Sequence, residues 1–335
     1  MTTAPVGQRR STTPVTVRSE WFELPTPRGM LRGLHQYQPD NHDPVGRVIV
    51  VPPFGTVMRR GRAIALYFLL NGFDVIRYDP TNHVGESDGT IRDLTPDALA
   101  ADLALVHDWV ASCGPRSGPA ALFTASIAAR IAFATAARSS RRPVAIGAIS
   151  AVVDLRATIA AANDQDFIGQ WLRGEQTDPD RTALVLDHEV KWRFVQRLIE
   201  LGWHTTESTR ADVRSLGSVP MLAVQGSRDS WVDPRAVEYA LRDHASAAIV
   251  VLSDATHELN TAYARTALAE LVRFFRPAHA ADDPVLAPTF AHVVAQNKGE
   301  RQIDRSQPDG FAVEVTHCAP FDYDLGPGAS SAPTT

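Results

Sequence analysis

Cysteine is scarce in this sequence and positive charge is not in excess, and each of these facts excludes a class of protein. The 335 residues include two cysteines, Cys113 and Cys318, which form no CxxC pair and no zinc-binding spacing with histidine. We therefore expect no disulfide framework, no metal and a reducing, cytoplasmic environment. Lys and Arg number 33 against 38 Asp and Glu and are scattered along the chain, so no basic surface for nucleic acid is predicted.

Long apolar runs and nucleotide-binding motifs are also absent. The longest apolar run, Ala63 to Leu70, is far below the roughly 20 residues that cross a bilayer, so it predicts a buried helix face and no membrane span. No GxGxxG or GxxxxGK[ST] stretch follows a strand, so no nucleotide cofactor is expected. Residues 1–18 lack the apolar segment of a secretory signal and predict a disordered leader. Residues 278–335, rich in Pro, Gly, Ser and Asp, predict a loosely ordered tail.

Alternating strand and helix patterns predict the fold. After residue 47, six short apolar runs alternate with helical patterns, which predicts an α/β protein with a mostly parallel sheet and helices on both faces. An antiparallel hairpin, "EWFEL" with "MLRGLHQY", precedes them. The spacing breaks over residues 151–218, where a cap or lid is predicted as an insertion between core segments 19–150 and 219–277. The predicted strands are 48–51, 74–78, 120–123, 144–149, 221–224 and 248–252.

A serine follows the third predicted strand directly. In "FTASIAARIAF", Ser126 stands between an apolar run and a helical pattern, with small residues on both sides. A nucleophile elbow requires this setting, because its strained strand-to-helix turn lifts the serine Oγ above the sheet. The usual GxSxG form is replaced by TASIA, so the stretch is also compatible with a small residue packed at a helix start.

The two partners that a serine nucleophile needs come later in the chain. An imidazole must take the serine proton, and a carboxylate must orient the imidazole. Asp229 follows the fifth predicted strand and His257 follows the sixth. This order is that of the α/β-hydrolase fold, which we therefore predict together with a catalytic triad of Ser126, Asp229 and His257. Asp229 is also compatible with a turn residue before Pro234, and His257 with a cap of the helix that begins near Asn260.

Two further loops supply the rest of the predicted site. An oxyanion hole needs one backbone N–H from the residue after the nucleophile, Ile127, and one from the loop after the first strand, "VPPFGTVMRRG". Because prolines have no N–H, the second donor is Phe54 or Gly55, and Phe54 is favoured. His83, in the loop after the second strand, is a rival general base, although its position before Ser126 favours a bracing role.

Four segments resemble a known family. "NGFDVIRYDPTNHVGESDG", "TASIAARIAF", "AVVDLRATIAAA" and "RDSWV" are similar to the acyl transferases of bacterial bioluminescence, which act as myristoyl-acyl-carrier-protein thioesterases. The resemblance covers roughly residues 20–276, and the family's elbow likewise lacks the usual glycines. It implies Ser126 as nucleophile, Asp229 as acid, His257 as base and a fatty acyl thioester as substrate. The leader and the tail have no counterpart in that family.

The predicted function is a serine-dependent acyl-thioester hydrolase or acyltransferase. A fatty or polyketide acyl group carried by acyl carrier protein or CoA would pass through an acyl-enzyme on Ser126, sheltered by the insertion. Arg59, Arg60 and Arg130 are either contacts for a phosphopantetheine carrier or solvated surface residues. A carboxylester hydrolase or a thioesterase-like cyclase would use the same triad, and a non-catalytic relative that binds a ligand is a third alternative. Acyl chain length, acceptor and oligomeric state are not predicted.

Overall fold

A large mixed sheet forms the centre of the molecule. The computed structural model describes residues 15–112, 114–301, 311–315, 319–320 and 329–330. Within these residues, ten strands join into one sheet, and the six apolar runs all lie in it as predicted. In chain order the strands are β1 (Val15–Thr26), β2 (Gly29–Tyr37), β3 (Gly46–Val50), β4 (Phe73–Asp79), β5 (Ala121–Ala125), β6 (Ile146–Ile149), β7 (Thr182–Val185), β8 (His188–Lys191), β9 (Met221–Gly226), β10 (Ala247–Leu252), β11 (Leu286–Ala287), β12 (Phe311–Val315), β13 (Ala319–Pro320) and β14 (Ala329–Ser330).

The order of the large sheet is β12-β1-β2-β4-β3-β5-β6-β9-β10-β14. The six strands from β4 to β10 in that order are parallel, and the predicted hairpin β1-β2 adds antiparallel strands beside β4. Parallel strands end at a common edge, so the residues that follow β3, β5, β9 and β10 come together there. The mostly parallel α/β architecture predicted from the sequence is confirmed.

Helices cover both faces of the sheet. Strand β4 is buried along its whole length, with Ile76 and Tyr78 in one apolar cluster and Phe73 and Val75 in another, so the sheet is a layer between two cores. The first core includes the helices at residues 96–112, 127–138 and 234–241, and the second includes those at residues 62–70 and 261–275. No helix of the described residues combines the length and apolarity needed to cross a bilayer. The helices are α1 (Arg62–Leu70), α2 (Pro96–Ser112), α3 (Ile127–Arg138), α4 (Leu155–Asn163), α5 (Phe167–Leu172), α6 (Arg193–Glu200), α7 (Thr206–Ser215), α8 (Pro234–Leu241), α9 (Thr261–Phe275) and α10 (Phe290–Arg301).

The segment from residue 151 to 218, called the insertion below, contains four helices. It also contains a hairpin, which the sequence did not predict. Helices α4 to α7 flank the antiparallel pair β7-β8, which forms a separate small sheet. The hairpin turns through Leu186 and Asp187, both with positive φ, at 48° and 63°. Two consecutive left-handed residues are the geometry of a type I′ hairpin turn.

The described residues 278–301 pack on the core, which differs from the loosely ordered tail expected from residue 278. Glu300 on α10 is fully buried and pairs with the fully buried Arg77 of β4 and, at 2.7 Å, with Arg62. The buried residues of α10 are polar, so the helix shows no apolar periodicity in the sequence. Residues 1–14 of the predicted leader lie outside the described residues, and residues 15–18 belong to β1. After α10, strands β12, β13 and β14 are described, and the other tail positions lie outside the described residues. The buried residues of α10 are His292, Gln296 and Glu300.

Candidate active site

Ser126 lies on a strained turn between β5 and α3. Its φ of 52° and ψ of −133° belong to a region that residues other than glycine rarely adopt, at a cost of roughly 1–3 kcal/mol. The backbone holds this geometry through its hydrogen bonds to Ile149 O at 3.0 Å and from Val152 N at 3.2 Å. The hydroxyl makes no cap to α3 and instead lies 2.9 Å from His257 Nε2. The side chain is therefore a hydrogen-bonding group and not merely a small residue packed at a helix start.

His257 connects Ser126 to Asp229. His257 Nδ1 lies 2.8 Å from Asp229 Oδ2, and Asp229 Oδ1 accepts the backbone N–H groups of Trp231 and Val232, both at 2.9 Å. A carboxylate that accepts three donors leaves the imidazole proton on Nδ1, so the lone pair of Nε2 faces the serine hydroxyl. The three predicted residues thus form one hydrogen-bonded row, in which the side chain of Asp229 is fully buried and that of His257 is 9% exposed.

The sequence also allowed a turn role for Asp229 and a helix-cap role for His257, and the structure shows the first but not the second. Asp229 does organise the turn at residues 229–232, so that role and its bond to His257 coexist. His257 does not cap α9, because the side chain of Asn260 accepts the N–H groups of Ala262 and Tyr263 there. Both side chains are therefore available to the same row.

Trp231 holds the imidazole in place, a role for which the sequence gives no signal beyond the residue's position in "RDSWV". Its ring lies 4.6 Å from that of His257, centroid to centroid, at a tilt of 38°. Its carbonyl accepts the hydroxyl of Thr158 at 3.2 Å, which ties this loop to α4 of the insertion. Ser150 donates to the carbonyl of His257 at 2.9 Å. Ring, backbone and carboxylate contacts together restrict the orientation of the imidazole.

The loop after β3 brings Phe54 to the site. Residues 53–56 form a tight turn closed by Thr56 N–H to Pro53 O at 3.1 Å, with Gly55 at a left-handed φ of 67°. The Gly55 N–H donates to His83 Nε2 at 3.0 Å. Among the described residues, no protein acceptor takes the N–H of Phe54 or of Ile127. Of the two donors considered for the oxyanion hole, Phe54 therefore has the free amide.

His83 does not contact Ser126, whose hydroxyl is bound by His257. Burial lowers the pKa of His83 to about 4, so the imidazole is neutral near pH 7 and Nε2 acts as an acceptor for the Gly55 amide. This position matches the bracing role expected from the sequence and gives no support to His83 as the rival general base.

A small apolar cavity lies beside the oxyanion loop. Its lining includes Phe54, Tyr78, Leu99, Ile127 and Ile131, and its volume of about 10 Å³ corresponds to one water position. Phe54 and Ile127, the two residues with free amides, both contribute to it. An acyl group bound at Ser126 thus has an apolar space next to it, but a long chain requires these side chains to move.

The insertion lies against the oxyanion loop. The ring of Phe54 packs edge-on against those of His188 and Phe194, at centroid distances of 5.9 and 5.7 Å. A Cβ added to Gly55 would lie 2.1 Å from His188 Nε2, so a larger residue would require the His188 ring to move and would also have to adopt the left-handed φ of 67°. The insertion therefore contacts the site at two places, this loop and the loop that carries Trp231.

The three arginines considered as carrier contacts have different surroundings. Arg130 is fully buried, pairs with Asp212 at 2.8 Å and donates to the carbonyl of Trp203, so it is neither a carrier contact nor a solvated residue. Burial lowers its pKa to about 10. Arg59 pairs with Glu86 at 3.2 Å, and Arg60 is exposed. In the described part of the chain, no cluster of three or more His, Cys, Asp or Glu side chains is arranged to hold a metal ion.

The sheet order and the row at its carboxyl edge define a protein of the α/β-hydrolase fold. Similar solved structures include a lipase in its open form, with a TM-score of 0.63 and 17% identity over 79% of this chain and 99% of that one. Est1E from Butyrivibrio proteoclasticus with bound ferulic acid has a TM-score of 0.58 and 18% identity over 75% of this chain and 96% of that one. At these identities the likeness establishes the fold alone.

The chain belongs to the acyl transferase family, whose sequence profile matches residues 35–264. An acyl transferase of Aliivibrio fischeri is 33% identical over 186 residues, which is 55% of this chain and 58% of that protein. An acyl transferase of Photorhabdus laumondii is 27% identical over 271 residues, 76% of this chain and 83% of its own length. The first match thus spans little more than half of the Aliivibrio relative. The family named by the sequence resemblance is confirmed.

Proposed function

We propose that this protein is a serine-dependent acyl-thioester hydrolase or acyltransferase. It would take a fatty or polyketide acyl group from acyl carrier protein or CoA and hold it as an ester on Ser126. The observation that carries the proposal is the hydrogen-bonded row of Ser126, His257 and Asp229 on a strained strand-to-helix turn. Membership of the acyl transferase family supports the acyl thioester as substrate.

In the first half-reaction, His257 Nε2 takes the hydroxyl proton as Ser126 Oγ attacks the thioester carbonyl carbon. The N–H groups of Ile127 and Phe54 hold the negative oxygen of the tetrahedral intermediate. The C–S bond then breaks, the sulfur leaves with the proton held by His257, and an ester remains on Ser126. Asp229 stabilises the transient imidazolium and keeps its Nδ1–H directed at the carboxylate.

In the second half-reaction, a water molecule or an alcohol gives its proton to His257 and attacks the ester carbonyl. The same two amides hold the second oxyanion. When the C–O bond to Ser126 breaks, the serine oxygen takes the proton back from His257, and the acid or new ester leaves. No group outside this chain and its two substrates is needed for the proton balance.

The insertion is proposed to shelter the acyl group. Its residues His188 and Phe194 contact Phe54, and its residue Thr158 contacts the loop beside His257. Contacts on both sides of the site limit the access of bulk water to the charged intermediate, which strengthens each electrostatic contact there.

A second candidate, a carboxylester hydrolase for short acyl groups, is favoured by the size of the apolar cavity. A space of about 10 Å³ beside Phe54 and Ile127, the size of one water position, fits the methyl group of an acetyl ester, whereas a longer chain requires the lining side chains to move. The triad chemistry is the same for both candidates, so only the preferred substrate distinguishes them.

A substrate panel tests the proposal. Thiol release is measured with acyl-CoA and acyl-carrier-protein thioesters of increasing chain length, and acid release is measured with matched p-nitrophenyl esters. The Ser126→Ala variant should abolish turnover, while Ser140→Ala, an exposed serine after the far end of α3, should leave it unchanged. Turnover of thioesters above esters supports the first candidate, and the reverse order supports the second. A wild-type protein that turns over no member of the panel refutes both and leaves a ligand-binding role.

A further inference from the structure

The peptide bond between Phe54 and Gly55 is the central one of a tight turn. Thr56 N–H donates to Pro53 O, and Gly55 has the positive φ that the third residue of a type II turn requires. The Phe54 N–H belongs to the preceding peptide, Pro53–Phe54, so its position depends on how the turn as a whole is held against the rest of the site. A contact from outside the turn can hold it.

His83 provides that contact from the loop after β4. Its Nε2 accepts the N–H of Gly55, which is the N–H of the central peptide, at 3.0 Å. The imidazole is 4% exposed, and its ring lies edge-on to that of Phe54 at a centroid distance of 6.4 Å. Burial keeps it neutral at pH 7, with a pKa of about 4, so its acceptor lone pair is retained. It also lines the small cavity together with Phe54 and Ile127.

His188 of the insertion closes the other side of the turn. Its ring is so close to Gly55 that an added Cβ would lie 2.1 Å from His188 Nε2. The turn is therefore enclosed between a buried acceptor and a packed ring. While the bond to His83 persists, the Gly55 amide is occupied and the amide of Phe54 is the one that stays free.

We propose that His83 is a positioning residue for the oxyanion hole: by accepting the Gly55 N–H it anchors the turn of residues 53–56, and with it the preceding Phe54 N–H that faces the reacting carbonyl oxygen. This inference rests on the proposed function, since it assigns a role within the same site. An oxyanion donor acts on the transition state more than on the bound substrate, so loss of its orientation lowers kcat and leaves KM nearly unchanged.

Two substitutions at His83 test this role. His83→Phe keeps a ring but removes the acceptor, while His83→Gln offers a side-chain oxygen that can accept the Gly55 N–H. We expect kcat to fall roughly 10- to 100-fold in His83→Phe with KM within about twofold, and to recover most of this loss in His83→Gln. Binding of an acyl trifluoromethyl ketone, which forms an oxyanion on Ser126, should weaken by the same factor as kcat. His107→Phe, at another buried histidine on α2, is the matched control and should leave both values unchanged.

The outcomes separate this inference from the proposed function. A wild-type protein that is active, with His83→Phe equally active or His83→Gln equally impaired, overturns the role of His83 and leaves the proposed function intact. A wild-type protein that forms no adduct with the ketone at Ser126 refutes the proposed function itself. If His83→Phe does not fold, as judged by its thermal unfolding, His83→Asn replaces it, because the shorter side chain removes the acceptor from Gly55.

Discussion

Replacing Asp229 by asparagine should reverse the direction of its hydrogen bond to His257 while keeping the size and shape of the side chain. Oδ1 accepts two backbone N–H groups, those of Trp231 and Val232, so the amide oxygen of the substituted side chain must take that place. The NH2 group then faces His257 Nδ1 as a donor, and the imidazole must carry its proton on Nε2. In that tautomer Nε2 cannot accept the proton of Ser126.

The expected loss is about 10⁴-fold in kcat, or about 5 kcal/mol of transition-state stabilisation, with KM nearly unchanged. The assay is turnover of the best substrate in the panel, together with the rate of labelling by a fluorophosphonate, which needs no knowledge of the natural substrate. Thermal unfolding should change little, because the two backbone contacts persist. Asp233→Asn, at the exposed cap of α8, is the matched control. A loss in Asp229→Asn below tenfold, or an equal loss in Asp233→Asn, would show that Asp229 does not set the tautomer of His257.

Three further predictions concern stability, each measured by urea unfolding. Ser126→Gly should be more stable than Ser126→Ala by about 1 kcal/mol, because glycine tolerates the positive φ; equal stabilities would contradict the strain. Glu300→Gln should lower the free energy of unfolding by about 3–5 kcal/mol, because Arg77 stays buried without its counter-charge. Glu23→Gln, at an exposed ion pair, should lower it by less than about 1 kcal/mol, and similar losses in the two variants would contradict the packing of α10. Burial lowers the pKa of His35 to about 4, so the unfolded chain takes up this proton first and stability falls as pH drops below 6.5. His35→Gln should therefore lose about 2 kcal/mol less than wild type between pH 7.5 and 5, and an unchanged pH dependence would contradict the shift.

Much of the sheet could be predicted because its strands are buried on both faces. Strands such as β3 and β9 contain unbroken apolar runs, at residues 48–50 and 221–224, which a single sequence displays directly. The row of Ser126, Asp229 and His257 follows from the same fact. Once the strands are located, residues just past their carboxyl ends must share one edge of a parallel sheet.

The hairpin β7-β8 and helix α10 could not be predicted by the same reasoning. The hairpin turn has no glycine, since Leu186 and Asp187 adopt the left-handed region themselves, so the usual turn signal is missing. Helix α10 faces the core with polar residues, and its Glu300 is stabilised by the distant Arg77. Such a pairing between α10 and β4 exists only in the folded chain.

The contacts that complete the site could not be predicted from the sequence for a related reason. The bond from Gly55 to His83 joins loops that follow different strands, and the packing of Trp231 on His257 depends on the angle between two rings. Neither leaves a pattern of spacing in the sequence. The sequence therefore identified which residues meet, while the structure was needed to learn how they are held.

The site of covalent labelling tests most directly whether Ser126 is the nucleophile. The wild-type protein is treated with a fluorophosphonate and, separately, with the acyl-thioester that turns over best, and the adducts are located by peptide mass mapping. We expect one adduct in each case, on the peptide that carries Ser126, absent from Ser126→Ala and much slower to form in Asp229→Asn. An adduct on another residue, or equal labelling of Ser126→Ala, would show that Ser126 is not the nucleophile.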